Sequence, residues 1–155
     1  MENRLQLTVE EFKLDEVLGY VVNRAALVMR KKLTQLFNDA GYSITYEEFT
    51  LLSRLWEEDG ILQTALTEKT YKDKTRVTRL VGGLVEKSLL KKETSKDDRR
   101  NFHIYLAEKG KELKQQLLPL VFNVLETAST NISKSDMEMT IKTLKTVIKN
   151  VNLTL

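Results

Sequence analysis

Apolar residues recur at three- and four-residue intervals through Leu14, Val17, Leu18, Val21, Val22, Ala25, Met29, Leu33, Leu36 and Phe37. That spacing predicts a long amphipathic helix, which Gly41 ends. Thr45–Tyr46–Glu47–Glu48 fits a capping box, in which a Thr hydroxyl and a Glu carboxylate satisfy reciprocal orphan amides. A second helix follows on Phe49, Leu52, Leu55 and Trp56 and stops near Glu58–Asp59–Gly60. A short helical segment around Leu62–Lys69 leads through Thr70–Tyr71–Lys72 to Asp73, a good N-cap. The helix it opens runs from Lys74 to about Lys87, apolar at Val77, Leu80, Val81, Leu84 and Val85. Gly82–Gly83 inside it costs about 1 kcal/mol per glycine relative to alanine, so packing must offset the loss or the helix bends.

Beyond this helix the period changes. Leu89–Leu90–Lys91–Lys92–Glu93 reads as a strand, and residues 94–101 as a charged hairpin tip. Phe102, Ile104 and Leu106 alternate with His103 and Tyr105, a strand with one buried face. The tail returns to helix on Leu113, Leu117, Leu120, Val121, Val124 and Ala128, with Pro119 a kink candidate. A second capping box at Ser135–Asp136–Met137–Glu138 is expected to open a last helix on Ile141, Leu144, Val147, Ile148 and Val151.

Helix, helix, then a two-stranded hairpin with a charged tip is the order of a winged helix-turn-helix, here spanning about residues 62–106. The expected fold is mostly α (α+β), a single domain over 1–155. Its winged helix-turn-helix lobe is residues 45–110, and its helical regions are 10–40 and 111–153. Those flanking helices hold more apolar surface than a lobe of this size can cover. Uncovered apolar stripes mark an oligomer interface, so both ends are expected to build a homodimer.

Charge changes the picture next. Residues 69–111 carry thirteen Lys or Arg and six Asp or Glu, a net +7, while the rest of the chain is −4 within an overall +3. One basic segment on a mildly acidic chain is the electrostatic footprint of contact with a polyanion. A recognition helix places its first residues against base edges in the major groove. Lys74, Thr75, Arg76, Thr78 and Arg79 stand at that end. Arg76 suits a bidentate pair with guanine, and Thr75 or Thr78 suits a thymine methyl or a phosphate. Lys74 and Arg79 fit either phosphate or base. At the hairpin tip, Lys96, Arg99 and Arg100 are cations suited to a narrow minor groove, with Asp98 placed to direct an arginine two residues away. The partner so implied is double-stranded DNA bearing a pseudo-palindromic operator. The alternative is a winged helix serving only protein interaction, whose binding would resist salt.

The remaining composition excludes more than it proposes. No cysteine means no disulfide, no thiolate metal site and no thiol switch in this chain. One histidine, His103, expected on the outer face of a wing strand, offers no catalytic pair. No phosphate-cradling glycine loop or metal-ligand spacing is present, so neither enzyme, cofactor nor metal is expected. The first residues contain no apolar core of a secretory signal, and no apolar run approaches a membrane span, so a cytoplasmic protein is expected.

Asp73–Lys74–Thr75–Arg76–Val77–Thr78–Arg79–Leu80–Val81, with Lys96–Asp97–Asp98–Arg99–Arg100 and then Ile104–Tyr105–Leu106–Ala107–Glu108–Lys109–Gly110, resembles the multiple-antibiotic-resistance regulator (MarR) family of winged-helix transcription factors. Thr45 to Leu55 resembles its second helix, so the likeness covers nearly the whole chain. It implies that Arg100 is the wing-tip minor-groove arginine and Asp98 its orienting partner. It also implies a dimeric repressor and a small effector, often an anionic aromatic, between the dimer helices and the DNA-binding lobe. Tyr20, Arg24, Phe49 and Trp56 are the residues expected to line that pocket. Without cysteine, the hydroperoxide-sensing branch of the family is disfavoured. Ser88 stands where the family usually has a helix-ending glycine, and Ala107 where it usually has a threonine cap.

Overall fold

The computed structural model describes residues 8–152 of the 155. The reading of residues 1–7 and the expected helical end at 153 fall outside them. The chain forms α1 (Leu18–Asp39), α2 (Tyr46–Glu57), β1 (Ile61–Leu62), α3 (Gln63–Thr70) and α4 (Lys74–Glu86). It continues through β2 (Leu90–Thr94), β3 (Phe102–Leu106), α5 (Glu108–Ala128) and α6 (Lys134–Asn152). This is the expected mostly helical winged helix, with one added strand. The sheet has three strands in the order β1-β3-β2, antiparallel throughout. β1 pairs Ile61 with Ile104 and Leu62 with His103. Two residues are too short to leave a period in sequence. His103, expected to be exposed, is half-buried and its Nδ1–H donates to the Gly60 carbonyl at 2.9 Å, which fastens this short pairing.

Local chemistry sets most boundaries. The Thr45 capping box is complete: Glu48 N–H donates to Thr45 Oγ1 at 3.2 Å, and Thr45 N–H to Glu48 Oε2 at 2.8 Å. Leu14 and Val17 were expected inside the first helix. Instead Leu14–Glu16 is one 3-10 turn and Val17 caps α1. The last helix also starts earlier than expected. Ser133 Oγ, not Ser135, accepts the Asp136 amide at 3.0 Å, and the Ser133 carbonyl accepts Met137 N–H. Ser133 and Asp136 have the same three-residue spacing as Ser135 and Glu138, and the earlier pair adds helix. α4 runs unbroken through Gly82–Gly83, and α5 through Pro119.

The end of α4 is a Schellman turn: Leu89 N–H reaches the Leu84 carbonyl and Ser88 N–H the Val85 carbonyl, both at 2.9 Å. Ser88 accordingly sits at φ +60°. An L-residue with a Cβ is disfavoured there by about 1–2 kcal/mol. Ser88→Gly is therefore expected to stabilise the protein by about 1 kcal/mol, read as a higher denaturant midpoint at unchanged m-value.

The core gathers Phe37, Leu51, Leu52, Leu55, Leu66, Leu84, Ile104 and Leu117, all fully buried, from the lobe and the lower parts of α1 and α5. Away from it the apolar stripes are bare. Of the α1 stripe only Leu33 and Phe37 are buried, while Leu27, Val28 and Phe122 of α5 are 54%, 60% and 54% exposed. α6 buries none of its residues, and its Ile148 is 56% exposed. Among the described residues nothing covers these faces.

Candidate nucleic-acid interface

Asp73 caps α4, its Oδ1 accepting Arg76 N–H at 2.8 Å. The helix buries Val77, Leu80, Val81 and Leu84 against the lobe, leaving Val85 partly exposed. That burial fixes the opposite face: Lys74, Thr75, Arg76, Thr78 and Arg79 are all exposed. α4 is gripped at both ends by consecutive glutamates of α2. Near its start, Arg76 makes a two-pronged pair with Glu47, Nη2 to Oε1 at 2.5 Å and Nε to Oε2 at 3.2 Å. At its end, Lys87 Nζ donates to both oxygens of Glu48 at 2.7 and 2.9 Å, and to the Ser43 carbonyl. Glu48 is 7% exposed. A buried carboxylate requires such partners, since an unpaired one loses hydration without return.

The wing strands hold the tip in a defined turn. Ser95 N–H donates to the Asn101 carbonyl, and Asn101 N–H to the Asp98 carbonyl. Asp98 Oδ1 accepts the backbone N–H of Arg100 at 2.9 Å. Asp98 therefore shapes the peptide that carries Arg100, whereas the sequence suggested a pair with the guanidinium. A short side chain satisfies a nearby backbone amide within its own turn before it reaches a long, mobile arginine. Asn101 Nδ2–H donates to Thr64 Oγ1 at 3.2 Å, tethering the tip to α3. α4 and the wing thus border one cleft of 130 Å³, with Lys74 and Thr78 on one side and Lys92 and Arg100 on the other.

Electrostatics distinguishes this face. Lys74, Arg79, Lys92, Lys96, Arg99 and Arg100 are exposed and form no ion pair among the described residues. Lys92 rests its ammonium 3.7 Å from the Phe102 ring centroid, a cation–π contact with a neutral ring that leaves its charge unpaired among the described residues. Glu47, Gln63, Thr64 and Asn101 belong to this site and were not found by sequence reading. Their partners are remote in the chain, and no local pattern marks them.

The four residues expected around an effector fall into two separate pairs, Tyr20 with Arg24 and Phe49 with Trp56, and do not form one pocket. Tyr20 and Arg24 lie on an outer face of α1, where Arg24 Nη1 pairs with Asp15 at 3.5 Å. Trp56 stacks edge-on to Phe49, but its Nε1–H donates to the Gly110 carbonyl at 2.9 Å. It serves as a strut between α2 and α5. Only Phe49 lines the apolar cavity between α1, α2 and α5, a space of 280 Å³ walled by Met29, Leu33, Val121 and Val124. Its polar edge is Arg30, whose guanidinium carbon lies 5.7 Å from the Tyr46 ring centroid. The face of α1 that lines it carries Ala26, Met29, Arg30 and Leu33, and helix rotation turns Tyr20 and Arg24 away.

Comparison with known proteins places this geometry. Residues 37–117 match the family model described as transcriptional regulator SarA/Rot. An organic hydroperoxide resistance transcriptional regulator of Bacillus subtilis (strain 168) is 25% identical over 125 residues, covering 81% of each chain. A MarR transcriptional regulator from Methanosarcina mazei Go1 has a TM-score of 0.78 at 23% identity, covering 89% of this chain and 98% of its own. Bordetella bronchiseptica BpsR, whose structure concerns regulation of its DNA binding by 6-hydroxynicotinic acid, has a TM-score of 0.79 at 18% identity, covering 88% and 96%. These structures share the fold.

Proposed function

The chain belongs to the SarA/Rot family of transcriptional regulators, with a MarR-like winged-helix fold, and from that premise we propose that it acts as a cytoplasmic homodimeric repressor of a pseudo-palindromic operator. α4 enters the major groove, the wing enters the flanking minor groove, and a small anionic aromatic effector releases the complex. The observation that carries this reading is the exposed set Lys74, Arg79, Lys92, Lys96, Arg99 and Arg100, without acidic partners among the described residues, on the two elements a winged helix lays on DNA. The bare faces of α1, α5 and α6 support the homodimer. No described helix is long and apolar enough to cross a membrane. For the effector, the cavity beside Arg30, Tyr46 and Phe49 replaces the site first expected. BpsR is regulated by an aromatic acid, which a cation at the mouth of an apolar cavity would suit. An effector there would touch the same first turn of α2 whose Glu47 and Glu48 grip α4.

Selection of bound duplexes from a random pool, followed by titration at several salt concentrations, tests the reading. An inverted repeat and a steep loss of affinity with salt are expected. A pool that yields no preferred sequence would overturn it.

Within that frame Arg76 has two competing acceptors, Glu47 in the free protein and guanine in the complex. Arg76→Ala is expected to cost about 1–3 kcal/mol per half-site and to relax one base position. Glu47→Ala, by freeing Arg76, is expected to tighten binding to random duplex and to steepen the salt slope by about one. Uniform weakening of every sequence by Arg76→Ala would make it a phosphate clamp.

A further inference from the structure

The side chain of Thr78 is not free to serve DNA through its hydroxyl. Its Oγ1 donates its one proton to the Lys74 carbonyl at 2.9 Å, since a carbonyl only accepts. It also accepts from Gln63 Nε2 at 2.8 Å. With that proton committed, the hydroxyl has nothing to donate to a phosphate oxygen. The same bonds fix the amide of Gln63, because a flipped amide would set two acceptors against each other.

Gln63 is itself unusual. It is 7% exposed at the first position of α3, and its Oε1 is buried with no hydrogen-bond partner among the described residues. A buried acceptor left unsatisfied lowers stability, so packing alone would favour an apolar residue there. What Gln63 does accomplish is to hold one rotamer of Thr78 on the exposed face of α4.

We propose that Gln63 is a positioning residue that makes Thr78 a reader of a thymine 5-methyl group in the major groove, through its γ-methyl. This rests on the DNA-binding reading above. A thymine methyl is an apolar mark that the major groove displays, and a fixed threonine methyl is a suitable contact for it. The two hydrogen bonds turn a side chain of mixed character into an apolar probe of set direction.

The test uses the full chain and the best duplex from the random-pool selection, with each half-site thymine replaced in turn by uracil, which lacks only that methyl. One thymine per half-site is expected to matter, its replacement weakening wild-type binding roughly fourfold, the worth of one buried methyl. Thr78→Ser, which keeps the hydroxyl and loses the methyl, is expected to be indifferent to that replacement. Gln63→Met is expected to unfold at the same or higher denaturant concentration while losing most of the discrimination. A wild type indifferent to uracil at every position overturns the proposal while leaving the DNA-binding reading intact. So does a Thr78→Ser variant that discriminates as the wild type does, or a Gln63→Met variant that is destabilised yet still discriminates. A wild type that selects no sequence at all overturns the underlying reading, and the proposal with it.

Discussion

Gly110→Ala is expected to destabilise the protein by about 3 kcal/mol or more, at the upper end of overpacking substitutions. A Cβ built on Gly110 would lie 2.1 Å from the Leu89 carbonyl oxygen and 3.1 Å from its carbon. That backbone has little freedom to yield. Leu89 O accepts Ala107 N–H at 2.9 Å, and Leu89 N–H closes the Schellman turn of α4. Moving α5 away instead would strain the Trp56 bond to the Gly110 carbonyl. The end of α4, the base of the wing and α5 therefore meet at a point where only a hydrogen fits. Equilibrium denaturation should show a midpoint far below wild type, and operator binding should fall with it. An alanine variant of wild-type stability would mean that α5 can shift along the lobe.

Ile141→Glu/Ile148→Glu is expected to convert the proposed dimer to monomers and to weaken binding to the proposed two-half-site operator at least about 100-fold. The two side chains lie seven residues apart on one face of α6, 47% and 56% exposed in the single chain. Folding of the lobe does not depend on them, since α6 buries no residue within its own chain. Their loss should remove the linkage that makes the second half-site contact intramolecular, an advantage of about 10²–10⁴. Sedimentation at micromolar concentration should give a monomer mass, with helix content by circular dichroism unchanged and affinity for a single half-site preserved. A variant that remains dimeric would place the interface elsewhere, and a monomeric wild type would remove the dimer altogether.

The elements of this protein were legible because their signals are local. The stripe Val77, Leu80, Val81 and Leu84 gives α4 its buried face, and Asp73 and Thr45 cap helices with side chains three residues from the amides they accept. The alternation from Phe102 to Leu106 and the charge of residues 69–111 depend only on neighbours in the chain. β1 escaped because two residues carry no period, and α6 was entered two residues late because two capping patterns overlap there.

Which cations are held in ion pairs is a different kind of fact. Arg76 and Arg79 have the same charge and adjacent turns of one helix, yet Arg76 is held by Glu47, 29 residues away, while Arg79 forms no ion pair among the described residues. Thr75 and Thr78 were equivalent candidates until Gln63, 15 residues from Thr78, donated a hydrogen bond to one of the two hydroxyls. Trp56 read as a pocket aromatic until its indole met Gly110, 54 residues on. The sequence alone determined the winged-helix order, the basic face and the surplus of apolar helix, because periodicity, capping and charge act within a few residues. The tertiary structure decided which of those side chains are occupied, by setting donors beside acceptors that the chain itself keeps far apart.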